Sequence, residues 1–144
     1  MGRRPVAAVA AVVLVAEAVG IVMLNWILGI AVQYQTMSLA GLDPEVMKVS
    51  TWANGVLIGL YLVVCAVFEA RLAWKDQPPG KLPRIVLISC AVVHAVVGAV
   101  TVGLVGCLAF LLMMVTFGLV VHGLVAYGEH GAKAPAPEAE PEPA

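Results

Sequence analysis

Few ionisable residues stand inside the long apolar stretches of this sequence, and Glu17 is the most informative of them. At about 1.5 Å per residue it lies roughly 18 Å beyond Pro5, deep within the apolar run Val6 to Val32. A carboxylate at such a depth in lipid is costly and usually faces protein or a water-filled cavity. Two chemistries fit it. One is a site that exchanges a proton or a cation. The other is a neutral carboxylic acid, the form that desolvation favours, hydrogen-bonded to a neighbouring helix.

His94 lies roughly 15 Å beyond Arg84 by the same rise, so its depth matches that of Glu17. Burying a charge without a partner is costly. The expectation is therefore that Glu17 and His94 form an intramembrane polar pair across a contact between helices 1 and 3. A plain interhelical hydrogen bond is the alternative role for His94. His122 lies roughly 9 Å in from Gly128. With His94 it raises a bis-histidine b-type haem as a lesser alternative, but the two differ in depth and no further intramembrane histidine supports a second haem. Glu69 is expected to pair with His122 or Arg84, or to reach the interface. Asn25 and Asn54 are expected to make interhelical hydrogen bonds.

Cys65, Cys90 and Cys107 all lie in apolar runs with no CxxC or ligand-like spacing. That pattern points away from zinc and from a secreted disulfide framework. Cys65 and Cys90 should be free thiols behaving as small apolar residues. There is no nucleophile–base–orienter set and no glycine-rich phosphate loop, so the chain reads as a non-enzyme without a cofactor or metal.

The elements that must position these residues follow from composition. Of 144 residues, 62% are hydrophobic and 12% charged, against about half and a quarter in a soluble domain. That surplus exceeds what a core of this size can hide, so lipid must cover it. A crossing needs about 20 apolar residues. The runs predict four transmembrane helices, at about 6–32, 52–74, 85–103 and 106–127, forming a single domain over 1–128. The third and fourth come from one long run, broken at Gly103-Leu104-Val105-Gly106. The first is too long for a cleaved signal peptide and carries Glu17 in its middle. Asp43-Pro44-Glu45 is a helix-start signal, so helix 2 is expected to begin near Pro44 and project above the membrane. The loops are read as Gln33 to Ser50 and, with Pro78-Pro79-Gly80, Lys75 to Arg84. The Ala/Pro/Glu-rich tail 129–144 is expected to be disordered. Trp52, Trp74, Tyr34 and Tyr127 read as interfacial aromatics.

Arg3, Arg4, Arg71, Lys75, Lys81, Arg84 and Lys133 fall on one side of this arrangement and only Lys48 on the other. Lys/Arg bias makes the richer side cytoplasmic. The expected fold is an all-α four-helix membrane bundle of two hairpins, both termini inside, in the cell membrane. No basic patch with interleaved aromatics suggests nucleic acid.

Small residues form two stripes. Ala91, Ala95, Ala99 and Gly103 recur along helix 3, with Gly98 on the same face, and helix 2 carries Gly55 and Gly59, continued by Ala66 and Ala70. Such spacing lets helix backbones approach closely in lipid, either inside the bundle or in a homodimer or with a membrane partner.

Ala16-Glu17-Ala18-Val19-Gly20 resembles the first helix of the small multidrug resistance family. That resemblance implies a four-helix protein in which a membrane-embedded glutamate, here Glu17, is contested by proton and cationic substrate. It covers some ten residues, and the chain departs from the family in its long outer loop, its helix 3 and its proline-rich inner loop. The overall composition looks like that of small four-helix membrane proteins of high-GC actinobacteria, a likeness that implies no activity. The preferred functional reading is a non-enzymatic interaction or assembly module using the small-residue faces. The alternative is a proton-coupled small-cation transporter, acting as a dimer through Glu17 with His94.

Overall fold

The computed structural model describes residues 2–35, 41 and 43–132. It contains four helices, α1 (Arg3–Tyr34), α2 (Pro44–Lys75), α3 (Lys81–Leu104) and α4 (Cys107–Ala132). All four are long and apolar enough to cross a membrane. Their outward faces carry the side chains that need lipid, with Val12 69% and Leu60 60% exposed. The chain is a multi-pass integral membrane protein.

Helix ends follow local chemistry. The Asp43 side chain accepts from the Glu45 N–H at 2.7 Å, capping α2, and Pro44 occupies the first turn, where its missing N–H costs nothing. At about 1.5 Å per residue, the 32 residues of α1 and of α2 outrun the roughly 30 Å of hydrocarbon. The connection between them is shorter than the 33–50 loop expected, because both helices run on into it. Between α3 and α4, the N–H groups of Val105 and Gly106 both donate to the Thr101 carbonyl at 2.9 Å. Gly106 takes φ 114°, a conformation that side chains resist, which places the break at a glycine. Helix α4 runs past Gly128 to Ala132, so residues 129–132 of the expected tail are helical; residues 133–144 lie outside the described residues.

The helices pair as two hairpins. α1 lies along α2, α3 along α4, and α1 also against α4, whereas among the described residues no Cα of α1 comes within 8 Å of α3. The common core joins Leu14, Leu62, Leu87, Cys90 and Val120. Glycines set the closest approach. A Cβ on Gly55 would stand 2.5 Å from Asn25 Cβ, and one on Gly59 would stand 2.6 Å from Val22 Cγ2. These two glycines thus serve the α1–α2 seam. On α3 the buried seam is Leu87, Cys90, Ala91, His94 and Gly98, with Gly98 against Met113 and Met114 of α4. Ala95 is half-buried, but Ala99 and Gly103 are exposed, and on α2 Ala66 is buried while Ala70 is exposed. The expected stripes therefore belong to the packing only in part. A seam advancing by three and four residues drifts away from a strict four-residue row, because 3.6 residues make a turn.

Further ties close each end. Trp26 and Trp52 stack at 4.5 Å, and the Trp52 indole donates to the Trp26 carbonyl at 3.2 Å. Lys48 is buried over the Trp52 ring and bonded to Glu45 and Gln33. Trp52 thus joins α2 to α1, and Tyr127 is buried at 1% exposure, while Trp74 and Tyr34 are exposed. At the other end Asp76, in left-handed backbone at φ 53°, receives Arg3 at 2.6 Å and Arg4 at 3.1 Å.

That last cluster has a pH signature. The hydrogen bond from Arg3, outweighing desolvation, holds the Asp76 carboxyl below the usual aspartate range. A carboxyl depressed in the folded state adds stability above its unfolded value, about 3.9, and loses it as pH falls through the folded value. Asp76→Asn should therefore lower the thermal midpoint in detergent at neutral pH, with the gap to wild type closing on acidification below about pH 4. A gap of constant size across that range would remove Asp76 from this role.

Candidate functional site

Glu17 and His94 meet, although not through a helix 1–helix 3 contact. The helices stand too far apart for their backbones to touch, and the two side chains bridge the interior between them. His94 Nε2 lies 2.9 Å from Glu17 Oε2. His94 Nδ1 lies 2.8 Å from the Cys90 carbonyl, one turn back in α3. A carbonyl only accepts, so Nδ1 carries a hydrogen and donates it. The third partner was not foreseen. Thr116 of α4 donates its hydroxyl to Glu17 Oε1 at 2.5 Å, and its own Leu112 carbonyl lies 3.2 Å away. Thr116 is fully buried and His94 nearly so, while the Glu17 side chain keeps 15% exposure. A threonine at mid-span is common enough in membrane helices that only its depth hinted at Glu17.

These bonds define the proton inventory. With Nδ1 committed to Cys90, the Nε2–Oε2 contact needs one hydrogen between its atoms. Carboxylic acid with neutral imidazole and carboxylate with imidazolium hold the same number of protons and the same net charge of zero. Removing that proton sets the Nε2 lone pair against a carboxylate oxygen in a poorly solvated place, which is unfavourable unless a cation takes the proton's position.

Beside this group lies a cavity of about 390 Å³, lined by Glu17 and Ile21 of α1, Leu57, Ile58, Tyr61 and Leu62 of α2, Val93, His94 and Val97 of α3, and Met113 of α4. Its volume falls within the usual range for small-molecule sites, about 300–1,000 Å³. Leu57, Ile58, Val93 and Val97 are exposed, so the cavity opens sideways between α2 and α3. Below the opening, the Tyr61 hydroxyl and Ser89 Oγ share a hydrogen bond at 2.7 Å, Ser89 donating onward to the Val86 carbonyl. A groove of about 450 Å³ on the α1–α2 face is larger but has no polar lining and reads as ordinary lipid-facing surface.

Other expectations are corrected. His122 is exposed, whereas both ring nitrogens of His94 are engaged, with Glu17 and with the Cys90 carbonyl. Glu69 pairs with neither His122 nor Arg84; it is fully buried and its carboxyl oxygens have no partner. Asn25 donates to the Ile21 carbonyl of its own helix at 2.9 Å, and Asn54 is exposed, so neither makes the expected interhelical bond. Cys65 and Cys90 are buried free thiols and Cys107 is exposed. Comparison with protein-family models, with curated proteins and with solved structures finds no match.

Proposed function

We propose that this membrane protein is a proton-coupled carrier of small lipophilic cations, with no enzymatic activity, in which proton and solute compete for Glu17. The observation that carries this reading is the position of Glu17: with its partner His94 it borders an almost wholly apolar cavity that opens toward lipid. An apolar lining takes up the hydrocarbon part of a solute, and the carboxylate takes its charge. His94 and Thr116 hold the carboxyl in place, and the shared proton keeps the empty site neutral. A cation entering between α2 and α3 substitutes for that proton. The Arg3 end faces the cytoplasm, since among the described residues it carries every Lys and Arg except Lys48. The cavity is formed by one chain, so a second copy is not needed to provide space.

The geometry favours this over an assembly module. Gly55, Gly59 and Gly98, the closest-packing members of the two stripes, are used inside the bundle, so the tightest small-residue contacts are already made within one chain.

The test is proton release. Adding tetrapropylammonium to purified protein in weakly buffered detergent near neutral pH should acidify the solution by up to one proton per chain. Cation binding with no proton released, or no binding at all across a series of tetraalkylammonium sizes, would overturn the competition.

A further inference from the structure

Glu69 lies outside this site, and its surroundings set it apart. It has 0% exposure, and neither carboxyl oxygen has a hydrogen-bond partner. The Tyr127 hydroxyl is likewise buried and unpartnered. Both belong to the seam between α2 and α4. A Cβ on Gly123 would stand 3.1 Å and 3.3 Å from the two Glu69 oxygens, so the glycine leaves the room the carboxyl occupies. Tyr127 follows Gly123 by one turn of α4. Buried polar atoms in native proteins are nearly always bonded to protein or to ordered water. Unpartnered groups from two neighbouring helices therefore point to a small polar guest, and water is the one that donates and accepts to both.

The groups around Glu69 form a file. One turn away in α2, Cys65 is fully buried in the same core as Cys90 of α3. Cys90 Sγ lies 3.6 Å from His94 Nδ1, and His94 reaches Glu17. In the other direction the Arg3 guanidinium of α1 sits 5.4 Å over the Tyr127 ring and bonds Asp76 at the bundle end.

We propose that Glu69 is a second proton-carrying carboxyl, which with Tyr127 and intervening water relays protons between the Arg3–Asp76 end and the Glu17–His94 site. The proposal rests on the reading of Glu17 as a proton-exchanging group. The step balances simply. Glu69 as a neutral acid gives its proton, through water, to a Glu17–His94 pair that has lost its own. The resulting Glu69 carboxylate takes a proton from water at the Arg3–Asp76 end. At Glu69 one O–H bond breaks and is then re-formed, one bond to hydrogen forms within the Glu17–His94 pair, the solvent supplies the net proton, and the thiols of Cys65 and Cys90 keep their hydrogens.

The experiment is time-resolved infrared difference spectroscopy of full-length protein in phosphatidylcholine–phosphatidylglycerol vesicles after a pH step, following carboxylic-acid carbonyl bands. Glu69→Gln should remove one protonated-acid band and slow the Glu17 response about 100-fold, while the final Glu17 amplitude stays the same. Tyr127→Phe, which keeps the packed ring, should slow the response with the Glu69 band intact. Glu69→Asp should recover part of the rate. If Glu69→Gln removes no band, or if both Glu69→Gln and Tyr127→Phe respond at the wild-type rate, the relay is overturned while the Glu17 site stands. If Glu17→Gln leaves every responding band in place, the proton-site reading fails and takes the relay with it.

Discussion

Replacing Glu17 with Gln should abolish cation-driven proton release and cation transport in proteoliposomes while leaving insertion and folding almost unchanged. The reason lies in the hydrogen bonds that the amide keeps. His94 Nδ1 donates to the Cys90 carbonyl, so its Nε2 is free to accept. A Gln amide at this position donates N–H to Nε2 and accepts from Thr116 Oγ1, reproducing both contacts of the neutral pair. Neither His94 Nε2 nor the Thr116 hydroxyl is orphaned, and the stability change should stay within about 1 kcal/mol. What is lost is the exchangeable proton and the carboxylate that would succeed it. Glu17→Ala makes the useful contrast. It strands His94 Nε2, at about 1–3 kcal/mol for a buried group left unmade, leaves the Thr116 hydroxyl only its 3.2 Å contact with the Leu112 carbonyl, and should lower the thermal midpoint as well as activity. A Gln variant that still exchanges protons on cation addition would remove Glu17 from the centre of the mechanism. A Gln variant as unstable as the Ala variant would instead show that the carboxylate's charge, rather than its shape, holds the bundle.

Depth was legible in this sequence and azimuth was not. Counting residues at a fixed rise placed Glu17 and His94 at one level, and the two side chains are in contact. Local signals were legible too: Asp43-Pro44-Glu45 marks the start of α2, and the α3–α4 break falls within Gly103 to Gly106. Which way a residue faces around its helix is a different question. In a soluble helix the polar face announces the answer. Here lipid-facing and core-facing positions are equally apolar, so nothing in the pattern separated Ala91, which is buried, from Ala99, which is exposed. For the same reason Glu69 looked within reach of His122, although α4 turns His122 outward and presents Gly123 to the carboxyl. Thr116 and Lys48 were missed because their roles depend on partners from other helices or from earlier turns, which only packing brings together.

Enlarging Gly59 should damage both stability and the Glu17 site, because one seam serves both. A Cβ at Gly59 would meet Val22 Cγ2 at 2.6 Å and the Ala18 carbonyl oxygen at 3.4 Å. The first contact is closer than packed atoms come, and the second is backbone, so α1 must move away from α2 or rotate. Overpacking of this kind costs about 1–3 kcal/mol, and Gly59→Leu should fall at the upper end of that range. The displaced segment carries Glu17, directly before Ala18 in sequence, and the carboxyl must hold hydrogen-bond distance to His94 and Thr116 on two other helices. A shift of about 1 Å stretches normal hydrogen bonds beyond their working range. Proton release should therefore fall in Gly59→Leu even at temperatures where the bundle is still folded. Gly20→Ala is the control on the same helix, since a Cβ there meets nothing within 4 Å. It should be neutral or slightly stabilising, because Ala forms helix better than Gly by about 1 kcal/mol. Thermal unfolding in detergent, measured beside tetrapropylammonium-driven proton release, separates the cases. Gly59→Leu matching Gly20→Ala in both measurements would mean that the α1–α2 seam does not set the position of Glu17. Loss of proton release with an unchanged thermal midpoint would place the effect on the site alone, and would make the seam a determinant of geometry rather than of stability.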